Sequence, residues 1–210
     1  MESIRELFHF LTDVRGLVQT GGYIALAIIV FTETGLMIGF FLPGDSLLVT
    51  AGLFAAKGDL DIVFLNLLLI TCAILGDATG YFIGRKLGPA LYRKEDSLLF
   101  KKKHLIATQE FYERHGGKTI IIARFVPIIR TFAPVVAGMA NMGYRRFAVF
   151  NIIGGIAWVF SMTMIGYSLI KIFPDAEKHI HIIIIVVIVL SILPGVIEVM
   201  RAKLRSRPEK

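Results

Sequence analysis

One cysteine in 210 residues, Cys72, leaves no partner for an intramolecular disulfide, and it lies inside an apolar run. A cleavable leader is also missing from the expected features: the first twenty residues mix Glu2, Arg5, Glu6, Asp13 and Arg15, and no short apolar region there ends in small residues. Histidine is sparse and badly spaced for a metal. His179 and His181 are two apart and point to different faces of a helix, while His104 and His115 fall in a charged middle segment. No metal and no cofactor is expected. Charge is scarce too, at 19% of the chain. That is too little for an ordinary soluble domain that is also 55% hydrophobic with a mean hydropathy of +0.71.

The apolar residues are concentrated in runs. Residues 147–170 contain no charge, and 24 residues at about 1.5 Å each reach roughly 36 Å, enough to cross a hydrocarbon core of about 30 Å. Residues 180–197 form a second such run, with Pro194 near its end. The chain reads as an all-α integral membrane protein with a single membrane domain. The net charge of +7 does not point to nucleic acid, because the cations collect beside apolar spans. One group occupies 85–118 and the other the tail at 201–210, which is the ordinary mark of cytoplasmic segments near anionic lipid.

Apolar stretches fall at about 22–42, 46–56, 60–84, 119–140, 147–171 and 179–200. Several cannot be simple spans. The second is short, the first carries Glu33, and the fourth contains Arg124, Pro127, Arg130 and Pro134. Broken or short segments at membrane depth are tolerated only when buried in protein or lining a wet cavity. Residues 22–56 and 119–140 are therefore expected to be re-entrant hairpins, turning near Pro43-Gly44 and near Pro127–Pro134. Spans are expected at 60–84, 147–171 and 179–200, with a short interfacial amphipathic helix over 1–20.

An internal repeat accompanies this plan. "AG" at 51–52 precedes "GY" at 80–81 by 29 residues, and "AG" at 137–138 precedes "GY" at 166–167 by the same interval. Asn66 and Asn151 fall within one residue of the same register. A hairpin that does not cross plus a span that does gives an odd number of crossings, so the second copy must be inverted. The expected architecture is two inverted repeats, each a re-entrant hairpin and a transmembrane helix, followed by an extra C-terminal transmembrane helix. With 85–118 inside, the C-terminus is cytoplasmic and Lys57–Asp61 lies outside. A full span over 22–42 would instead move the N-terminus inside, and the sequence leaves that open. Gly76, Gly80, Gly84 and Gly88 recur every four residues on one helix face, a ridge against which a hairpin or a second subunit can pack closely.

Four ionisable residues fall where lipid is expected: Glu33, Asp45, Arg124 and Arg130. Each costs about 2.5–3.5 kcal/mol at the centre of a span, so four unpaired would cost roughly 10–14 kcal/mol. They must be paired or wetted. Two acids come from the first hairpin and two arginines from the second, which suggests that the hairpins meet. One reading is structural: salt bridges that hold the hairpins together. The other is a polar cavity in which Arg124 and Arg130 bind a phosphate through planar, permanently charged forks while Glu33 and Asp45 carry protons. Asp77 is a fifth candidate, either a second proton site or an acceptor capping hairpin backbone. Trp158 reads as a packing residue in mid-span.

The sequence pieces ETGL at 33–36, FLPGDSLL at 41–48, GDATGYFIGRKLG at 76–88, RFVPIIRTFAPVVAG at 124–138, and Phe147, Asn151 and GIAW at 155–158, in that order, resemble the DedA family, also described by its SNARE-associated or VTT domain. The resemblance covers roughly 20–170. It implies an inner-membrane transporter built on inverted re-entrant hairpins. Its bacterial members are linked to translocation of undecaprenyl phosphate or phospholipids, often dependent on the proton-motive force, and its eukaryotic relatives resemble scramblases. The family's functional acids match Glu33 and Asp45, and its arginines match Arg124 and Arg130. The function so implied is proton-linked flipping of an anionic lipid at a bacterial plasma membrane, not an enzymatic activity, with homo-oligomers allowed. The alternatives are a passive phospholipid scramblase and a non-transporting assembly factor. A lipid-phosphate phosphatase is disfavoured because no histidine lies near either arginine in the hairpin.

Overall fold

A computed structural model describes residues 14–36, 44–93 and 118–172. Expectations for the start of the interfacial helix, Pro43, most of the basic segment, the third span at 179–200 and the tail lie outside these residues. All regular structure among the described residues is helical: α1 (Val14–Gly35), α2 (Gly44–Lys57), α3 (Ile62–Arg93), α4 (Lys118–Ala123), α5 (Pro127–Met139) and α6 (Tyr144–Ile172). Two of them, over Ile62–Gly88 and Tyr144–Ile172, are long and apolar enough to cross a membrane.

The other elements are short. α2 and α5 have 14 and 13 residues, so they extend only about 20 Å at 1.5 Å per residue. α1 is interrupted at Gly22, whose φ of 50° lies outside the helical region, and its apolar part is the short stretch Gly21–Gly35. The second hairpin turns at Arg124–Val126, where three successive N–H groups donate three residues back. Pro127 then occupies the first turn of α5, a position where its missing N–H costs nothing. Pro134 does not turn the chain as expected. α5 runs through it, and the hairpin's only break among these residues is the one just before Pro127.

Packing is reciprocal. The second leg of each hairpin lies against the long helix that follows the other hairpin: α2 against α6, and α5 against α3. The first legs lie against their own long helices, α1 on α3 and α4 on α6. Glycines make the cross-contacts possible. A side chain on Gly52 would strike the Thr163 carbonyl and Tyr167 N–H, and one on Gly138 would strike the Tyr81 carbonyl and Arg85 N–H. From the other side, Gly166 faces Val49 and Leu53, and Gly84 faces Val135. The expected glycine ridge of α3 is thus filled within the chain, by Thr34 and Gly35 at Gly76 and by α5 at Gly84 and Gly88.

The second legs end alike. Gly58 (φ 90°) follows α2, with Gly58 and Asp59 N–H donating to Ala55 and Phe54 carbonyls. Asn141 (φ 54°) follows α5, with Asn141 and Met142 N–H donating to Gly138 and Ala137. Both are paired 6→1 and 5→2 terminations with a left-handed residue, the conformation that glycine and asparagine tolerate best. Asp61 then caps α3 by accepting from the Phe64 N–H at 2.7 Å.

Every residue from Gly44 to Ala55 is buried, which makes α2 the central element. On α6, Asn151, Gly154, Gly155, Trp158, Val159, Thr163 and Gly166 form one buried face. Its other side exposes Ile152, Ile153, Ile156, Phe160 and Ile165, as a lipid-facing surface requires.

Candidate functional site

All five expected ionisable residues are buried: Glu33, Asp45, Asp77, Arg124 and Arg130 are each at most 8% exposed. They do not form one cluster, however. Arg130, just inside α5, reaches across to the first hairpin. Its Nη1 donates to Asp45 Oδ1 at 2.6 Å and its Nη2 donates to Glu33 Oε1. This is the expected meeting of opposite charges from the two hairpins. Glu33 stands near the end of α1 and Asp45 in the first turn of α2, where the helix dipole favours an anion. Gly44 serves here as space: a Cβ on it would overlap the Glu33 carboxyl group.

Arg124 goes elsewhere. From the turn before α5, its Nη2 donates to Asp77 Oδ2 of α3 at 2.5 Å and to Asn151 Oδ1 of α6. Asn151 in turn donates from Nδ2 to the Ile74 carbonyl at 3.1 Å. The guanidinium lies over Gly154 and Gly155, where a Cβ would come 3.0 Å from Arg124 Cδ and 3.6 Å from Nη1. The expected convergence of both arginines on Glu33 and Asp45 is therefore corrected. Six residues and an intervening turn send Arg124 to the α3–α6 side and Arg130 to the α1–α2 side. Asp77 acts as the ion-pair partner of Arg124.

Two participants were not expected to take part in the charged site, Trp158 having been read as packing. Trp158 is fully buried, and its Nε1 donates to Asp45 Oδ1 at 2.8 Å. Its ring lies 4.5 Å from the Arg130 guanidinium carbon, a cation–π contact. Asn151 was noted as a register mark and as part of the family resemblance, with no role attached. The available signal was spacing: Asn151, Gly154, Gly155 and Trp158 stand at i, i+3, i+4 and i+7, one face of α6 that seats both arginines.

Several polar atoms in these clusters are buried with no hydrogen-bond partner among the described residues: Glu33 Oε2, Asp77 Oδ1, Arg124 Nε and Nη1, and Arg130 Nε. A buried network that is only partly satisfied is costly, and water or another polar group can complete it. No group of three or more metal-ligating side chains that could hold an ion occurs among the described residues.

The VTT domain profile matches residues 42–168, which hold α2 through most of α6. Over 183 residues the chain is 49% identical to Protein DedA of Escherichia coli K12, covering 86% of this chain and 83% of that one. It is 44% identical over 173 residues to an uncharacterized membrane protein of Mycobacterium leprae, covering 82% and 77%. It is also 37% identical over 161 residues to the inner membrane protein YqjA of Escherichia coli K12, covering 71% and 68%. No solved structure matches significantly.

Proposed function

Because the chain belongs to the VTT-domain family and is a homologue of DedA, we propose that it translocates an anionic lipid, undecaprenyl phosphate or a chemically similar phosphate, across a bacterial plasma membrane in a proton-linked cycle. The observation that carries this reading is the buried, incompletely satisfied charge at the meeting of the two hairpins. A purely structural ion pair would be expected to satisfy its own donors and acceptors, since each unsatisfied buried group costs about 1–3 kcal/mol.

The charge balance fits a proton-linked cycle. Among the described residues three buried carboxylates face two buried guanidiniums. With every group ionised the interior carries one excess negative charge, and a low-dielectric site tolerates that poorly unless a proton or another cation neutralises it. Each arginine already holds a carboxylate on Nη2, so a phosphate gains the two-pronged edge of Nε and Nη2 only as that carboxylate lets go. Protonation of the acid is the step that releases it. Arginine suits the anion because its planar fork matches a phosphate and keeps its charge throughout.

The architecture we infer is a pair of inverted repeats with re-entrant hairpins. It is supported by legs too short to cross a core of about 30 Å, by the reciprocal packing of α2 on α6 and α5 on α3, and by the like terminations at Gly58 and Asn141. Under this reading the substrate site is reached alternately from the two sides, and Asp59 and Gly143 lie on opposite faces of the membrane.

The test is reconstitution in liposomes with a panel of labelled lipids: undecaprenyl phosphate, phosphatidylglycerol and neutral phosphatidylcholine. The two anionic lipids are expected to change leaflet faster than phosphatidylcholine under a pH gradient, and Arg130→Gln to abolish the difference. Equal movement of all three lipids, unaffected by the gradient or by the substitution, would instead establish a passive scramblase.

A further inference from the structure

The two acids on Arg130 are held very differently. Asp45 Oδ1 accepts from both Arg130 Nη1 at 2.6 Å and Trp158 Nε1 at 2.8 Å, and Asp45 sits in the first turn of α2. The Trp158 ring lies under the same guanidinium. Asp45, Trp158 and Arg130 Nη1 thus form a closed triangle. Glu33 meets fewer side chains. One oxygen lies on Arg130 Nη2 and the carboxyl group meets the Gly44 N–H at the start of α2, while Oε2 is buried with no hydrogen-bond partner among the described residues. On that same side of the guanidinium, Arg130 Nε is also buried with no hydrogen-bond partner among the described residues.

A guanidinium offers two bidentate edges, one between its terminal nitrogens and one between Nε and a terminal nitrogen. Asp45 and Glu33 divide the first. The second becomes wholly free as soon as Glu33 leaves. We propose that a phosphate engages Arg130 side-on, through Nε and Nη2, by displacing Glu33, while Asp45 stays on Nη1 and Trp158 is the positioning residue that keeps it there. This inference rests on the phosphate-transport reading and assigns its parts. The exchange balances: Glu33 leaves as the neutral acid with one proton on Oε2, and a monoanionic phosphate group replaces its charge on Arg130. The cluster ends with the charge it began with. The groups facing Glu33 are Arg130 from α5 and Asp45 from α2, and Asp77 of α3 acts on Arg130 from the neighbouring cluster.

Trp158 is the single tryptophan of the chain, so intrinsic fluorescence of the whole protein reports this site alone. The experiment uses the full chain in phosphatidylcholine nanodiscs, with radiolabelled undecaprenyl phosphate as the probe and fluorescence as a second readout. Wild-type binding is expected to tighten as pH falls, with a parallel fluorescence change. Glu33→Gln is expected to bind at high pH as the wild type does at low pH, with the pH dependence gone. Asp45→Asn and Trp158→Phe, the latter keeping a ring but losing the N–H, are expected to weaken binding about tenfold, the loss of one hydrogen bond to a charged group, while keeping the pH dependence. Asp45→Glu, which retains the charge but moves it off Trp158, serves if Asp45→Asn fails to fold, and is expected to behave alike. Loss of pH dependence in the Asp45 variants as in Glu33→Gln would overturn the division between the acids. Wild-type binding by Trp158→Phe would overturn its positioning role. No binding by the wild type at any pH would remove the transport reading itself.

Discussion

At the scale of single residues, the second cluster can be tested apart from the first. Arg124 is buried against Asp77, and removing one partner of a buried pair leaves an uncompensated charge at a cost of about 3–5 kcal/mol. Asp77→Asn should therefore lower the thermal unfolding midpoint of the detergent-solubilised protein strongly. Adding Arg124→Gln should recover much of that loss, because two neutral amides leave no orphan charge. Additive losses in the double variant would show that the two side chains are not coupled. The sequence disclosed that Glu33, Asp45, Arg124 and Arg130 had to be buried and compensated, since lipid leaves no alternative. It did not disclose who pairs with whom. Which carboxylate meets Arg124 depends on the rotation of α3 and α6 about their axes, which no local spacing in 124–130 encodes. Trp158 looked like packing because a lone mid-span tryptophan usually is. Its hydrogen bond to Asp45 joins residues 113 positions apart.

Among elements, glycine sets how closely helices approach, and the effect of a side chain there follows from what it would strike. Gly138→Val should push α5 off α3, because the Cβ meets the Tyr81 carbonyl and Arg85 N–H, both fixed backbone. Gly84→Val should do the same from the opposite side, against Val135. Overpacking of this kind costs about 1–3 kcal/mol or more, read as a lowered unfolding midpoint and poor recovery of folded protein. Gly143→Ala is the control, with nothing within 4 Å of the added carbon, and should leave stability unchanged. The four-residue glycine period was legible in the sequence, and the helices it belongs to are the ones seen. The repeat register was less so. Matching "GY" to "GY" pairs Gly80 with Gly166, whereas the backbone contacts pair Gly84 with Gly166, one turn further on. The slip has a physical source: Gly52 lies six residues before its left-handed terminator at Gly58, and Gly138 only three before Asn141. The shorter leg shifts everything after it, and two-letter matches cannot see that.

For the molecule as a whole, the proposed inversion makes a claim about sidedness. Asp59 and Gly143 follow equivalent legs and are both exposed, so single cysteines there, in a Cys72→Ser background, are expected to react with a membrane-impermeant maleimide from opposite sides of the membrane. Labelling from the same side would mean that the second hairpin crosses after all. The functional proposal joins that geometry to the chemistry of Arg130. A site that must shed a carboxylate before it accepts a phosphate has to move a proton each time it moves a lipid. The decisive measurement is the luminal pH of proteoliposomes, followed with a trapped dye while a gradient of undecaprenyl phosphate is imposed between the leaflets without an imposed pH gradient. Lipid movement is expected to drive a pH change in the wild type and none in Glu33→Gln. Lipid movement in the wild type with no change in luminal pH would contradict coupling at this site.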